Sequence, residues 1–332
     1  MLKRILFGFI ITLTGCNSSQ ALDLVDSWQS ETVVNWDDAR PDMLLFSADE
    51  KSLFLTFENR PNGMSPSFGK IDMATRQGSM LIYGMDRADG LKMDQTGDLW
   101  LGEESATGQI WRITNPAQLP PEQRVDGLRH VASHPSIQSE LAAGIFSHEG
   151  LAFSQDFKYL YLLDEWKGGC LYRYNIKEKT LAVFHKQQGW RRVSTPDEAR
   201  LKGEVLHGKM IRRGEDMETL PNGHILFTET DTGIIWELND SGEQPTLNHY
   251  LQFPEIEHPD NLEWDASRNW LWITDDNKPS ELWAYDGKQI LRVASTDDGE
   301  ITGVESKSNG DLFINIQGSD FGHDRTLRLF SK

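Results

Sequence analysis

The 332-residue sequence predicts an all-β protein, a β-propeller of six blades. Two observations predict this fold: one strand–turn–strand unit recurs six times, and the copies are spaced as propeller blades are. Counted between the residues that open the copies, from 42 to 302, successive spacings are 47, 60, 67, 44 and 42 residues. Repeats of about 40–50 residues that carry several short apolar strands are typical of propellers.

Each copy follows the same plan. An acid and a small or amide residue come first, and an apolar strand, a turn rich in Gly, Asn or Asp, and a second apolar strand follow. A third strand with an aromatic residue usually comes next. The copies occupy residues 41–59, 89–105, 148–166, 215–231, 259–277 and 301–317, and third strands are predicted at 108–113, 169–174, 233–238 and 280–285.

The ring is predicted to close through an N-terminal strand. The last copy ends with a strand at 325–330 and leaves no chain for a fourth one, whereas residues 31–36 (ETVVNW) form a strand pattern with no blade of their own. We therefore expect residues 31–36 to supply the outer strand of the last blade. Residues 31–332 would then form a single propeller domain.

The two long spacings predict insertions at about 115–146 and 186–212. The first contains a Pro pair and the stretch 136–146 (SIQSELAAGIF), which favours a short helix. The second is charged and is loop-like, or helical at 196–203 (PDEARLKG). Both insertions are expected to lie over one face of the ring.

Residues 1–15 are typical of a signal peptide. Two basic residues precede an apolar run from Ile5 to Leu13, which is too short to span a bilayer. The run ends in Leu13-Thr14-Gly15-Cys16, which resembles a bacterial lipobox and implies cleavage before Cys16 and lipidation of that residue. Residues 16–30 would be a tether, and resemblance to enteric lipoproteins favours the outer membrane, on its periplasmic or surface side. The alternative is an ordinary cleaved signal.

The charge balance excludes one class of partner and indicates another. The chain has 51 acidic against 33 basic residues, a formal net charge of −18, so it lacks the basic footprint of a nucleic-acid groove. Acidity indicates either solubility or a cation site, because hard cations bind carboxylate oxygens. If Cys16 carries lipid, Cys170 has no partner, and its alternating strand pattern indicates a small core residue.

The blade plan places many acids at one end of the ring. Adjacent strands of a blade are antiparallel, so the start of the first strand and the end of the second lie on the same face. Such crowding is unfavourable unless a cation is bound, which predicts a metal-binding funnel; the alternative is that the acids cap turns and face water. The acids are Asp42, Asp89, Glu149, Glu215, Asp216 and Asp260 before first strands, and Glu58, Glu103, Glu104, Asp164, Glu165, Glu229, Asp275 and Asp276 after second strands.

Five stretches in order resemble the PhoX-type alkaline phosphatases, which are secreted six-bladed propellers with iron and calcium in the funnel. The resemblance covers roughly residues 40–320 and implies hydrolysis of phosphomonoesters. The stretches are 99–105 (LWLGEES), 144–174 (from GIFSHEGLAF to GCLYRY), 212–230 (RRGEDMETLPNGHILFTET), 259–265 (PDNLEWD) and 302–317 (TGVESKSNGDLFINIQ).

The resemblance implies roles for single residues. Arg213 would hold a substrate phosphate through its guanidinium fork. His148 would orient Glu149, contact substrate or be structural. The implied metal ligands are Glu103, Glu104, Glu149 and Glu215, and further ligands or supports of ligands are Asp164, Glu165, Asp260 and Asp276.

One departure from the family pattern bears on the metal. Gly102 stands where the family has its iron-binding Cys, and Cys170 lies in another blade. Ca²⁺ needs no thiolate and is therefore the expected cofactor, whereas Fe³⁺ lacks this ligand.

The sequence favours the first of three functions, and the other two are alternatives. The first is a metal-dependent phosphomonoesterase, which would act on a small phosphorylated substrate with Arg213 stabilising charge. The second is a calcium-dependent lactonase of the gluconolactonase type, which Asn261 and Asp276 fit; because a neutral lactone needs no arginine, the direction of Arg213 discriminates. The third is a non-catalytic calcium-binding propeller. A monomer is expected, which meets the membrane only through its lipid.

Overall fold

The structure, a computed structural model, describes residues 22–37, 39–60, 65–319 and 323–332. Six sheets of four to six strands stand around one axis. Each is built mainly from consecutive strands, and strands from the N-terminal segment and from the first insertion join sheet edges. Neighbouring strands are antiparallel except for one parallel pair, in which a strand of the first insertion joins blade 1, and the first strand of each sequence repeat is the innermost. The predicted six-bladed propeller is confirmed.

Two N-terminal strands and the first two blades occupy residues 23–143. The N-terminal strands are β1 (Asp23–Leu24) and β2 (Trp28–Trp36). Blade 1 is formed by β3 (Pro41–Phe46), β4 (Ser52–Phe57), β5 (Pro66–Asp72) and β6 (Gln77–Tyr83). Blade 2 is formed by β7 (Ala88–Met93), β8 (Leu99–Glu103), β9 (Ile110–Ile113) and, from the first insertion, β12 (Ile137–Ser139). Between β9 and β12 lie a 3-10 turn (Pro116–Gln118), β10 (Gln123–Asp126) and β11 (Val131–Ala132), and a second 3-10 turn (Leu141–Ala143) follows β12.

Blades 3 and 4 follow. Blade 3 comprises β13 (His148–Phe153), β14 (Tyr159–Asp164), β15 (Leu171–Asn175), β16 (Thr180–His185) and β17 (Gly189–Val193), and is followed by a 3-10 turn (Pro196–Glu198) and helix α1 (Ala199–Val205). Blade 4 comprises β18 (Gly214–Thr219), β19 (Ile225–Glu229), a 3-10 turn (Thr230–Thr232), β20 (Ile234–Asn239) and β21 (Thr246–Leu251).

Blades 5 and 6 complete the ring. Blade 5 comprises β22 (Pro259–Asp265), β23 (Trp270–Asp275), β24 (Ser280–Tyr285) and β25 (Ile290–Thr296). Blade 6 comprises β26 (Glu300–Ser306), β27 (Leu312–Gln317) and β28 (Asp324–Ser331), with β2 as its outer strand.

The second strand of each blade explains why the blades stack. In β8 every residue is buried, as is every residue of β19 and β27. A strand that is covered on both faces is apolar throughout rather than alternating, because blades pack against it from both sides. Large aromatic residues fill the space between blades, with Trp100, Trp111 and Trp272 fully buried.

The ring closes as the sequence predicts. Strand β2 pairs with β28 from Trp28 opposite Ser331 to Trp36 opposite Asp324, so the pairing begins earlier than the predicted residue 31. Trp28 explains the extension, since its ring packs edge-on against Trp272 at 5.6 Å between centroids. The short strand β1 pairs with β25 at the edge of blade 5.

Both insertions extend blade edges. In the first, β10 and β11 form a hairpin beside β6, and β12 becomes the outer strand of blade 2. The expected helix within 136–146 is reduced to the 3-10 turn Leu141–Ala143, because residues 137–139 pair with β9. In the second insertion, β17 is a fifth strand of blade 3, and helix α1 lies in the predicted helical stretch.

The predicted signal peptide, the lipidation site Cys16 and the first part of the tether lie outside the described residues. Of the remaining tether, Leu22 is buried, and β1 and the start of β2 pair with the propeller. No helix in the described parts of the chain is both long and apolar enough to cross a membrane.

The closure strand is expected to contribute strongly to stability. Trp36 is 4% exposed, donates a hydrogen bond to Thr326 Oγ1 at 2.9 Å and packs edge-on against Phe57. We predict that Trp36→Ala lowers the free energy of unfolding by about 3–5 kcal/mol in urea denaturation, because it leaves a cavity at the seam. The matched control Trp166→Ala removes a 54% exposed ring and should cost about 1 kcal/mol or less. Equal effects of the two substitutions would contradict the closure.

Candidate metal centre

Each innermost strand carries a register irregularity near its start, and this feature aims acidic side chains at the axis. In five blades the shift spans the residue that opens the blade, from Pro41/Leu44 in blade 1 to Pro259/Leu262 in blade 5, and blade 6 has it at Thr302/Val304. A β-bulge leaves a residue outside the regular ladder and redirects its side chain. In blades 1 to 5 the bulged residues include Asp42, Asp89, Glu149, Glu215 and Asp260.

These side chains line a cavity of about 410 Å³ at the end of the ring where the innermost strands begin. Ten carboxyl groups and three guanidinium groups face it, so acidic groups greatly outnumber basic ones. The lining residues are Arg40, Asp42, Glu58, Arg87, Asp89, Glu104, Glu149, Glu165, Arg213, Glu215, Thr230, Asp260, Asp276, Glu300, Thr302 and Gln317. We call this cavity the funnel.

Two groups of three carboxylates in the funnel are close enough to share a cation. One is Asp89, Glu104 and Glu149, and the other is Glu149, Glu165 and Glu215; within each group one oxygen per residue lies within 4.8 Å of the others. Glu149 belongs to both groups. Its Oε2 atom is buried and has no hydrogen-bond partner among the described residues. A buried carboxylate oxygen without a partner is costly, so this atom points to a missing ligand.

Burial and mutual repulsion hold protons on this cluster. Burial raises the pKa of Glu104 to about 9, against the opposing effect of Arg87. Burial and the Asp276 carboxylate raise the pKa of Glu300 to about 9, and burial and Glu58 raise the pKa of Asp42 to about 8. The pKa values of Asp89, Glu149 and Asp260 are raised well above their usual range, first by burial and then by neighbouring carboxylates.

Three arginines compensate part of the charge, and they share one local geometry. Arg40, Arg87 and Arg213 each stand two residues before the acid that opens a blade, and their φ values are 50°, 51° and 52°. A left-handed backbone costs a non-glycine residue about 1–2 kcal/mol. The turn that it makes brings each guanidinium back into the funnel.

The arginines are engaged by the carboxylates themselves. Arg40 contacts Glu58 at 2.6 Å and Arg87 contacts Glu104 at 2.7 Å.

Arg213, the predicted phosphate-binding residue, contacts Glu215 at 2.7 Å and Glu165 at 3.3 Å. It points into the funnel, yet its guanidinium fork is already occupied. A role in holding carboxylates therefore explains its position without any anionic substrate.

The structure brings most of the predicted site residues together. Glu104, Glu149, Glu165 and Glu215 line the funnel and form the two groups of three. The remaining predicted residues that line it are Arg213, Asp260 and Asp276.

Glu103 does not belong to the funnel, although it is adjacent to Glu104. Successive side chains of a strand point to opposite faces, so only one residue of the pair can face the axis. The carboxylate of Glu103 instead accepts backbone hydrogen bonds from Asp86 at 3.0 Å and Gln109 at 3.3 Å. Burial raises the pKa of Glu103 to about 7.

Asp164 also lies outside the funnel. Its two oxygens form a bidentate ion pair with Arg200, which helix α1 supplies, and the carboxylate is fully buried. Both lone-pair regions are thereby used, so Asp164 is a structural partner of the insertion rather than an available ligand.

His148 is structural. Its ring is fully buried, and its centroid lies 3.8 Å from that of the Phe146 ring. The Nε2 atom forms a hydrogen bond with the backbone oxygen of Gly144 at 3.0 Å. Burial lowers the pKa of His148 to about 3, so the ring is neutral near pH 7. It does not line the funnel and does not contact Glu149 through a hydrogen bond.

No thiolate reaches the funnel in the described chain. A Cβ atom on Gly102 would lie 2.5 Å from His148 O, so no side chain fits at that position. Cys170 is buried beside Gly203 and Gly208 in blade 3, and burial raises its pKa to about 12. The residues present therefore fit a hard divalent cation held by carboxylate oxygens and do not fit the iron–thiolate site that the resemblance implied.

Three charged funnel residues were not identified from the sequence as site residues, namely Arg40, Arg87 and Glu300. Arg40 and Arg87 could have been found, because the spacing Arg-x-acid recurs in three blades at 40–42, 87–89 and 213–215. Glu300 is the first residue of β26, two residues before Thr302, and it lies in no sequence motif that would have marked it as a site residue. Asn261, which favoured a lactonase site, lies outside the funnel, since its Oδ1 accepts from Gly303 N at 2.6 Å.

Comparisons with known proteins give the fold and not a family. No protein-family model matches the chain, and no curated protein sequence matches it. Among solved structures, a gluconolactonase from Xanthomonas campestris matches with a TM-score of 0.62 and 12% identity, over 93% of this chain and 91% of that one. A putative gluconolactonase gives 0.62 and 10% over 94% and 98%, and a luciferin-regenerating enzyme gives 0.63 and 10% over 92% and 95%.

These findings correct the predicted family. Gluconolactonases are among the similar structures, and neither these structures nor any family model link the chain to alkaline phosphatases. The resemblance to PhoX-type enzymes is therefore wrong, and so is the prediction of a phosphoric monoester hydrolase. The short motifs that suggested it reflect blade geometry, as the threefold Arg-x-acid spacing illustrates.

The raised pKa values predict how calcium and pH act together. The metal-free folded protein keeps protons on Asp42, Glu104 and Glu300 up to about pH 8–9, whereas the unfolded chain loses them near pH 4. Its stability should therefore fall as pH rises through this window. A divalent cation in the funnel is expected to replace the protons of its ligands, Glu104 among them, so its stabilisation should be larger at pH 8.5 than at pH 6.

Thermal unfolding with and without calcium measures this linkage. At pH 8.5 and calcium 100-fold above its Kd, the expected gain is about 2.7 kcal/mol. A gain that is independent of pH, or no gain with any divalent cation, would contradict a proton-loaded cation site.

Proposed function

We propose that the protein is a metal-dependent hydrolase that opens lactones, with a divalent cation, Ca²⁺ in the first place, in the funnel. The observation that carries the proposal is the position of Glu149, which belongs to both carboxylate triads and has a buried oxygen without a partner among the described residues. The similarity of fold to gluconolactonases supports the reaction class.

The charge of the funnel favours a neutral substrate. Its ten carboxylates outnumber its three guanidinium groups, and each of these already contacts a carboxylate. The lining therefore offers an anion no free guanidinium group with which to pair. A lactone carries no charge and offers a carbonyl and a ring oxygen, so it needs no such group.

The two halves of the funnel have different roles. Blades 2, 3 and 4 supply the cation ligands from Asp89, Glu104, Glu149, Glu165 and Glu215. Arg213 holds Glu165 and Glu215 in place through its two contacts. When bound, the cation polarises the ester carbonyl and stabilises negative charge on its oxygen.

The opposite half of the funnel supplies the groups that accept and donate protons. Asp276 and Glu300 face the funnel from blades 5 and 6, and in the described chain neither forms an ion pair with an arginine. Burial raises the pKa of both groups; the Asp276 carboxylate raises that of Glu300 further, whereas a hydrogen bond from Glu300 lowers that of Asp276, so the proton of the pair lies on Glu300 near neutral pH. Ionised Asp276 takes a proton from the attacking water, and Glu300 gives its proton to the ring oxygen as the ring C–O bond breaks.

Turnover of a lactone panel tests the proposal directly. The purified protein is assayed with and without calcium on glucono-1,5-lactone and on simple γ- and δ-lactones, with proton release as the readout. Calcium-dependent hydrolysis at least 100-fold above background is expected. Calcium binding without hydrolysis of any lactone would instead support a non-catalytic binding propeller.

Substitution of the shared ligand should remove the metal. We predict that Glu149→Gln weakens calcium binding at least 100-fold in calorimetric titration and abolishes turnover, because both triads lose the negative charge of their shared carboxylate. Glu103→Gln is the matched control, since its carboxylate is also removed from solvent but is turned away from the funnel. The assignment fails if the two variants lose calcium equally.

Substitution of the proton acceptor should separate chemistry from metal binding. Asp276→Asn is expected to lower kcat about 100-fold or more while the Kd for calcium changes less than threefold, because general base catalysis is lost and the triads are intact. A wild-type kcat in this variant would assign the base to another residue.

The localisation is part of the proposal. The lipobox-like sequence before Cys16 supports a lipid-anchored envelope protein, monomeric and attached to the outer membrane through its lipid. Radiolabelled palmitate incorporation that is lost in Cys16→Ser would support the anchor, and secretion of an unlabelled mature chain would contradict it.

A further inference from the structure

We infer that a second cavity beside the funnel binds the apolar substituent of the substrate, so that the preferred lactones carry an alkyl chain. This inference rests on the proposed function. The cavity has a volume of about 460 Å³, which is within the range of about 300–1,000 Å³ that small-molecule pockets occupy. We call it the side pocket.

The side pocket shares a wall with the funnel. Arg87 and Glu104 line the funnel, whereas their chain neighbours Asp86 and Glu103 line the side pocket. Adjacent residues of extended chain face opposite sides, so the two cavities are separated by a single layer of backbone. Both open at the end of the ring where β7 begins and β8 ends, which lets one molecule reach across the rim.

The lining of the side pocket is mainly apolar, unlike that of the funnel. The first insertion supplies its outer wall, with Val125 from β10 and Leu128 from the turn of the β10–β11 hairpin. Leu128 is 85% exposed, so its side chain is available to cover an apolar substituent that enters the pocket. Glu103 forms the floor, but backbone N–H groups already satisfy its two oxygens.

One polar atom in the side pocket lacks a partner. Ser105 Oγ is buried and forms no hydrogen bond to any described residue. Ser105 directly follows Glu104, so this hydroxyl lies where the side pocket meets the funnel wall. An apolar substituent with one hydrogen-bonding atom near the lactone ring would satisfy it.

The test is the chain-length dependence of hydrolysis in the series δ-valerolactone, δ-octalactone, δ-decalactone and δ-dodecalactone. Each methylene that enters an apolar pocket should raise kcat/KM about threefold to fourfold until the pocket is full. We expect the ratio of kcat/KM for δ-dodecalactone over δ-valerolactone to be at least 50 in the wild-type protein.

Two variants and one control make the test specific. Thr107→Trp fills the pocket from its exposed rim, and Leu128→Ser removes its apolar outer wall. Both should reduce the ratio to below 5. Leu291→Ser changes a leucine that is 47% exposed in β25, away from the pocket, and should leave the ratio at its wild-type value.

The outcomes separate this inference from the proposed function. Hydrolysis of all four lactones without a chain-length preference, or a preference that survives in both variants, would overturn the side pocket and leave the lactonase intact.

If no lactone is hydrolysed, the proposed function fails. Binding of the neutral fluorophore N-phenyl-1-naphthylamine then tests, without any turnover, whether the side pocket binds apolar molecules. Binding that Thr107→Trp weakens at least tenfold, and Glu149→Gln does not, supports the pocket. Absence of binding overturns it.

Discussion

The convergence of six bulged strands on one axis is the constraint on which the rest of the structure depends. In blades 1 to 5 the bulge turns a carboxylate inward at the same height. Brought together in a buried space, these groups repel one another and lose hydration. Three arginines in a left-handed conformation offset part of this cost. Protons or a cation must supply the rest, so the site is built to bind positive charge.

The other end of the axis shows how the same chain compensates acids internally. There Lys92 reaches Glu218 at 3.0 Å and Asp216 at 3.9 Å, with Glu263 and Glu305 beside them. Burial alone would lower the pKa of Lys92, yet the surrounding carboxylates raise it, so the ammonium stays charged. The ammonium group of Lys92 therefore compensates the acids at that end of the axis, as a bound cation would. The funnel has no lysine in its lining, which leaves room for an exchangeable cation and for a substrate.

The sequence predicted the ring better than the site. Six copies with apolar strands and the unpaired strand before them determine blades and closure, because both follow from the burial of sheet faces. The site depends on side-chain directions that a one-residue register change reverses, as the division between Glu103 and Glu104 shows. Asp164 was misassigned because its partner Arg200 comes from an insertion 36 residues away. The motif around Arg213 identified residues that do line the funnel, but the phosphate-binding role inferred from it was wrong. The motif specifies a left-handed turn into the funnel, and the same turn occurs at the start of blades 1 and 2.

The insertions explain how a general scaffold acquires a particular site. They flank blade 3, the blade that carries Glu149. The second supplies Arg200, which ties down Asp164 at the end of β14, and the adjoining Glu165 is thereby held at the funnel edge. The first forms the hairpin wall of the side pocket against blade 2. Blades 5 and 6 lack such insertions and contribute the titrating pair instead. Additional chain is thus concentrated around the cation ligands, where positioning matters most, while the ring keeps its regular plan elsewhere.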